Sequence, residues 1–430
     1  MTEFLRAGRL SGAIDRVRHG EVADWLVVAI AVSLPWSTSA TAILIVLWLA
    51  AVIPSLDPTS VRRELMTPAG GLPVLLWGLA IIGMLWADVG WNERLQGLRG
   101  FHKLLVIPLL LAQYRRSDRA KWAILGFCLS ASALVALSWL TPYPGLWGRD
   151  KADVGVPVKD YTAQSGIFAV CAFGLFAQAL DWWRARRTQL ALGAVFAGAV
   201  FIANILFVAT ARTTLVIIAV LLVLFGFWQL RWKGVLAVGL LGGMLASAVW
   251  LSSPYLRGRV IDLAEDLQGH RAAGAMTSAG LRLEFWEKSV DFIAAAPFVG
   301  HGTGTIAALF RRSTSGEEGT TAPVTGNPHN QILAVAIQLG LVGTIVLISM
   351  WIVHLALFCG RPTVAWYGLT IVVGNAVGSL FNSHLFDFTQ GWLYVFGVGM
   401  LGGVMLGRHR ADPSLRNTRL IGQSARSPAT

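Results

Sequence analysis

Long apolar runs limit this chain more than any other feature. From Ala334 to Phe358, and again from Leu190 to Ala209, there is no Asp, Glu, Lys or Arg. A helix rises about 1.5 Å per residue, so roughly 20 such residues cross a bilayer core of about 30 Å. Only 13% of the 430 residues are charged, about half the share in a soluble domain. An ordinary soluble enzyme is excluded. Eighteen Trp residues fit the same picture, because indole favours the membrane interface.

The runs predict an all-α polytopic membrane protein with about twelve transmembrane helices. The expected spans are 22–36, 39–54, 71–87, 100–114, 120–140, 162–182, 189–209, 212–230, 234–252, 328–358, 364–382 and 389–407. Short loops that hold Lys and Arg lie on the cytoplasmic side. With a cytoplasmic N-terminus, the inside segments take Arg62, Arg63, Arg115–Lys121, Arg184–Arg187, Arg231, Lys233, Arg361 and the tail. Together with the N-terminal arginines these are roughly 21 of the 35 basic residues, which places both termini inside. The chain then divides into a cytoplasmic segment (1–21), nine spans (22–252), one long periplasmic loop (253–327), three spans (328–407) and a cytoplasmic tail (408–430).

The net charge of +12 sits in short clusters between apolar runs rather than in one stripe, so nucleic acid is not an expected partner; membrane lipid is. Cys128, Cys171 and Cys359 have no metal-ligand spacing and read as small apolar residues. The first twenty residues carry Arg6, Arg9, Arg16 and Arg18 without the apolar core of a signal peptide. They suit a basic helix on the cytoplasmic leaflet or a frayed tail.

The long loop has two helical patterns. Leu256, Val260, Leu263 and Leu267 share one face, as do Leu281, Phe285, Phe292 and Ile293, with Pro297 and Gly300 as stops. The stretches between and after them are polar and rich in Gly, Ser and Thr.

Charge at membrane depth is expensive and marks function. The topology brings Arg149, Lys151, Lys159, Arg212, Arg282, His301, His329, His384 and Asp387 to the outer face. Arg212, in Thr210–Thr213, opens a span, where the helix dipole disfavours a cation but favours an anion held between guanidinium and backbone N–H groups. The bland alternative is an arginine that snorkels. His329 lies in Asn327–Gln331. Asn327 as N-cap and Pro328 at the first helical position would put His329 in the first turn, where the dipole keeps imidazole neutral and able to accept a proton. A structural histidine is the competing assignment. Arg282 lies on the second loop helix and Lys159 just before a span. Asp387 is placed to orient His329, to pair with an arginine or to cap the final helix. No His, Cys, Asp or Glu cluster has metal-ligand spacing, and no phosphate-binding loop or G-x-S-x-G is present. Neither a metal nor a cofactor is expected. The Gly-rich His301–Thr305 lacks the strand and helix that a nucleotide loop needs.

The segments TARTT, LRLEFWEKSVDFIAAAPFVGHGTG and NPHNQILAVAIQLGLVG, in this order, resemble the O-antigen ligase and polymerase family of bacterial membrane proteins. The resemblance is close from Arg212 to Asp387 and topological elsewhere. It implies a GT-C-type glycosyltransferase fold in the bacterial inner membrane, with the active site facing the periplasm. It also implies an undecaprenyl-diphosphate-linked O-antigen donor and a lipid A–core acceptor. The family's span-opening arginine falls on Arg212, its loop arginine on Arg282, the histidine of its His-Asn pair on His329 and its acidic residue before the last span on Asp387. Catalysis is then expected from His329, Arg212 and Arg282, and substrate binding from Lys159, Asn330, Asp387 and His384. One long loop and a short tail favour a ligase over an O-antigen polymerase. From another class, a lipid or polysaccharide transporter would place its charges near the midplane and show an inverted repeat.

Overall fold

The computed structural model describes residues 2–141, 155–252, 257–258, 261, 278–314, 324–360 and 362–411. Among these the protein is all helical. The elements are α1 (Thr2–Ser33), α2 (Thr38–Ser55), α3 (Pro58–Leu65), α4 (Pro68–Gly83), α5 (Trp91–Leu98), a 3₁₀ turn (His102–Leu105), α6 (Val106–Tyr114) and α7 (Ala120–Leu140). They continue as α8 (Tyr161–Arg184), α9 (Thr188–Phe207), α10 (Arg212–Ser252), α11 (Ser278–Ala295), α12 (Ile306–Thr314), α13 (Gln331–Leu357), α14 (Thr363–Gly378) and α15 (Phe388–Ala411). Arg149, Lys151, most of the expected helix around Leu256–Leu267 and most of the tail lie outside the described residues.

Seven helices among the described residues are long and apolar enough to cross a membrane, or nine if two bent pairs each count as one span. The bent pairs are α3 with α4, at 81°, and α5 with the 3₁₀ turn and α6, at 46°. Each occupies the position of one expected span, at 71–87 and 100–114. The largest departure from the expected layout is α10. It runs unbroken for 41 residues through Arg231 and Lys233, where a cytoplasmic turn was expected between two spans. Two basic residues mark a preferred side of the membrane but do not break a helix; Gln, Leu, Arg, Trp and Lys all accept helical dihedrals, and no proline interrupts the run.

Two proline and glycine effects explain the local geometry of α4 and α13. Pro73 lies inside α4 and has no N–H, so the carbonyl of Ala69 loses its intrahelical donor. His354, fully buried near the end of α13, supplies the replacement: its Nε2–H donates to Ala69 O at 2.9 Å, and its Nδ1 accepts from the Tyr394 hydroxyl at 2.6 Å. In α13 itself Gly340 adopts φ 59°, which breaks the helix and suits a residue without Cβ. The two bonds given up there are Leu341 N to Ile337 O and Val342 N to Gln338 O. The loop after α11 replaces all four partners. Leu341 N donates to Pro297 O at 2.8 Å and Val342 N to Phe298 O at 3.2 Å; His301 N donates to Ile337 O at 2.8 Å and Gly302 N to Gln338 O at 3.0 Å. The Gly-rich His301–Thr305 is therefore a plug in a broken helix. It also ties α4 down, through Thr303 N to Gly83 O at 3.1 Å and Thr303 Oγ1 to Ala80 O at 2.6 Å.

One end of the bundle collects the starts of α8, α10, α13 and α15. Gln331 N donates to Ser379 O at 2.8 Å, joining α13 to the end of α14. Gln390 Nε2 donates to Thr162 O at 3.3 Å, joining α15 to α8. Ser165 Oγ donates to Ala209 O at 2.7 Å, joining α8 to the segment before α10. Above this end α11 lies with Leu281, Phe285, Phe292 and Ile293 against Ile306, Phe310, Ala334 and Ile337. That is the apolar face visible in the sequence; the short α12, which supplies Ile306 and Phe310, runs on to Thr314, into the polar stretch from Arg311 that was expected to be a linker.

Candidate active site

The entrance to α13 departs from the predicted cap by three residues. Asn330, not Asn327, is the N-cap: its Oδ1 accepts from Ile332 N at 2.9 Å and Leu333 N at 3.2 Å. Its Nδ2 donates to Leu380 O at 3.1 Å, so both ends of the amide expected to contact substrate are engaged by backbone. Asn327 Oδ1 instead accepts the backbone N–H of His329 at 2.9 Å and the Ser383 hydroxyl at 2.7 Å. His329 thus lies before the helix, not in its first turn, and adopts φ 55°. A non-glycine residue in this left-handed region costs on the order of 1–3 kcal/mol and tends to occur at functional sites.

The hydrogen bonds around His329 fix its tautomer. A backbone N–H can only donate, so the Asn327 atom facing it is Oδ1 and Asn327 Nδ2 points the other way. That Nδ2 donates to Asn382 at 3.3 Å, so the Asn382 atom there is Oδ1. The same Oδ1 stands 3.1 Å from His329 Nδ1, and Nδ1 must therefore carry the proton. Asn382 Nδ2 donates onward to Asp387 Oδ2 at 3.0 Å. A histidine, an amide and a carboxylate are linked in series, and His329 Nε2 is left with its lone pair. Nε2 makes no hydrogen bond among the described residues.

The ring is half-buried and stacks on Phe285, with centroids 6.3 Å apart and planes 19° apart. Burial, opposed by the bond to Asn382 and helped by the nearby Arg282 guanidinium, holds the imidazole below its ordinary pKa of 6.5. The result agrees with the sequence argument; the cause is burial rather than the helix start. Arg282 is brought to His329 by α11, whose Trp286 Nε1 donates to Pro328 O at 3.1 Å.

Asp387 is buried enough that its carboxyl rises to about 6, against the pull of Lys103 and with a push from Asp160. Lys103 lies deep in the protein, 3% exposed. Its Nζ donates to Phe386 O at 3.0 Å and Asp387 O at 2.8 Å. Gln331 Oε1 accepts from Leu385 N at 3.1 Å and Phe386 N at 3.3 Å. The loop that carries Asn382 and Asp387 is thereby anchored from two sides. Lys103, Gln331 and Asn382 escaped the sequence argument, and Asn327 was given the cap in place of its turn. Only Lys103 left a usable signal there, as a charge inside an expected span.

Arg212 is the first residue of α10, as its sequence position implied, and the preceding residues are tied to α8. Lys159 precedes α8. Its Nζ donates to Leu34 O at 2.6 Å and Thr389 Oγ1 at 2.9 Å, and burial lowers it to about 8. His384 is only 2% exposed, its ring packed against Gly378 with neither nitrogen hydrogen-bonded. Burial lowers it to about 4 despite Asp160. A cavity of about 590 Å³ opens beside Asn382 and Asp387, reaching Trp36, Lys159, Asp160 and Gln390. Among the described residues no group of three His, Cys, Asp or Glu side chains is arranged to hold a metal ion.

Residues 197–348 match the family model for O-antigen ligase. The matched segment includes Arg212, Arg282 and His329, and ends before Asn382 and Asp387. No curated protein matches the chain. The family implies an O-antigen ligase- or polymerase-type function in lipopolysaccharide biosynthesis, and its members are membrane enzymes of glycosyltransferase type. Apolar helices, a histidine at the mouth of one of them and the match at residues 197–348 converge on one statement: residues 197–348 carry a domain of the O-antigen ligase family.

Proposed function

We propose that this protein is an O-antigen ligase. It transfers a glycan from undecaprenyl diphosphate to a sugar hydroxyl of lipid A–core at the periplasmic face of the inner membrane, on a GT-C-type scaffold. The observation that carries the proposal is the tautomer of His329, whose Nε2 lone pair is directed away from the Asn382–Asp387 relay. His329 Nε2 takes the proton of the acceptor hydroxyl. The oxygen attacks the anomeric carbon, the bond to the diphosphate breaks, and its electron pair leaves with undecaprenyl diphosphate. In-line attack inverts the anomeric centre. The imidazolium that forms is stabilised through Asn382 by the Asp387 carboxylate, then returns its proton to solvent.

Charge grows on the leaving diphosphate. Arg282, beside His329, and Arg212, at the start of α10, grip it through paired N–H donors and supply the positive charge that a metal ion supplies elsewhere. One long outer segment between the spans supports ligation over polymerisation.

The test is reconstitution with purified lipid-linked glycan and lipid A–core in excess EDTA. A joined product is expected. A longer glycan still on its lipid carrier would identify a polymerase, and activity restored only by a divalent cation would reject the metal-independent mechanism.

A further inference from the structure

The cavity beside Asp387 has a composition unlike that of a diphosphate site. Among the described residues its charged lining groups are two acids, Asp160 and Asp387, and one base, Lys159. An ammonium has three donors, and two of those on Lys159 are already bonded to Leu34 O and Thr389 Oγ1. The cavity also meets the starts of α8 and α15, which would otherwise attract an anion. Both starts are already furnished with a carboxylate of the protein. Asp160 caps α8, its Oδ1 accepting from Ala163 N at 2.8 Å, and Asp387 directly precedes α15. A diphosphate entering here would meet two like charges and one largely committed cation.

The same lining suits a sugar ring. Carboxylates and amides bind hydroxyls, which both donate and accept. Trp36 adds an aromatic face; its indole N–H donates to Ser130 Oγ at 2.8 Å, which fixes the ring. A few convergent polar groups around an aromatic platform, in a cavity of about 590 Å³, match the general form of a small-ligand site.

We infer that this cavity is a carbohydrate subsite, which receives a sugar of the glycan substrate and excludes the diphosphate. The inference rests on the proposed transfer reaction. It separates Lys159 from Arg212 and Arg282, which grip the phosphates. Asn382 and Asp387 form part of the cavity wall, so a bound sugar adjoins the relay that serves His329.

Protection from labelling tests this without turnover. Thr38 is exposed at the cavity rim, and Thr38→Cys in a Cys359→Ser background provides the reporter in the purified full chain. Three probes are compared: deacylated core oligosaccharide, undecaprenyl-diphosphate-linked glycan and sugar-free undecaprenyl diphosphate. At least one sugar-bearing probe should slow modification by a membrane-impermeant maleimide about fivefold or more, whereas the sugar-free lipid should change it by less than about twofold. Protection by the oligosaccharide assigns the subsite to the acceptor, and protection by the lipid-linked glycan alone assigns it to the donor. Equal protection by sugar-free undecaprenyl diphosphate, or none by either sugar-bearing probe, would overturn the subsite. Failure of the wild-type protein to join its substrates, with protection intact, would count against the ligase function and not against the subsite. Trp36→Ala should in addition raise the KM of the protecting substrate about fivefold or more and leave inhibition by undecaprenyl diphosphate unchanged.

Discussion

The two ends of α13 each present a histidine, and the two are held in opposite ways. His354, near the end of the helix, is fully buried and has both ring nitrogens engaged, one by Tyr394 and one by the Ala69 carbonyl that Pro73 leaves without a donor. His329, just before the helix, is half-buried, sits in a left-handed backbone conformation and has one nitrogen engaged. A histidine in an apolar setting is a fastener when both nitrogens are satisfied. Held through one nitrogen only, it keeps a lone pair, which is what the role of base proposed for His329 requires.

The widest separation between them should come from substitution. His329→Ala is expected to lower the transfer rate by about 10²–10⁴-fold, the usual worth of a general base, with the protein still folded. His354→Ala should do the reverse. It leaves a buried carbonyl and a buried phenol without partners, which costs about 1–3 kcal/mol each. The thermal unfolding temperature in detergent should drop, and the rate per folded molecule should change little. A matching rate loss in both variants would erase the distinction.

The relay sharpens the comparison. Asn382→Leu removes the acceptor that fixes the His329 tautomer and should cut the rate about tenfold or more. The pH profile locates the relay's charge. Depressed by burial and by Arg282, His329 stays neutral below its ordinary 6.5, whereas Asp387 loses its charge as pH falls through about 6. Activity should therefore decline on the acid side near pH 6. Asp387→Asn, slower throughout, should shift the part of that limb that the carboxyl sets near pH 6. An unshifted limb would show that Asp387 does not set the charge of the relay.

The smallest effect is expected at His384. Its ring is buried against Gly378 with no hydrogen bond, so His384→Leu removes an unsatisfied polar group. Transfer should stay within about threefold of wild type, and stability should hold or rise. A large loss of transfer would return this histidine to the substrate site.

Much of this arrangement was legible in the sequence, and the rest was hidden for identifiable reasons. Arg212 begins a helix because TART follows one apolar run and precedes another. The face of α11 follows from its apolar spacing and matches the cluster it joins. The cap of α13 was misplaced because Asn327 and Asn330 are equally good caps, and a turn closed by Asn327 competes with the helix it seemed to start. Asn382 could not be recognised: its role depends on partners 53 positions away in His329 and 5 away in Asp387, and one asparagine in a loop carries no signature. The unbroken α10 was divided because charge was read as a break in the helix. The Gly-rich His301–Thr305 looked like a failed nucleotide loop because its partner is a helix broken at Gly340, and one glycine in an apolar run does not reveal a left-handed kink.

The central claim is that His329 acts as a base and not as a fastener. Chemical rescue tests it most directly. Purified His329→Ala is mixed with lipid-linked glycan and lipid A–core, with and without added imidazole, beside Arg282→Ala under the same conditions. Imidazole should restore transfer to His329→Ala, in proportion to the concentration of its neutral form, and should do nothing for Arg282→Ala. Wild-type turnover by His329→Ala without imidazole would contradict the account.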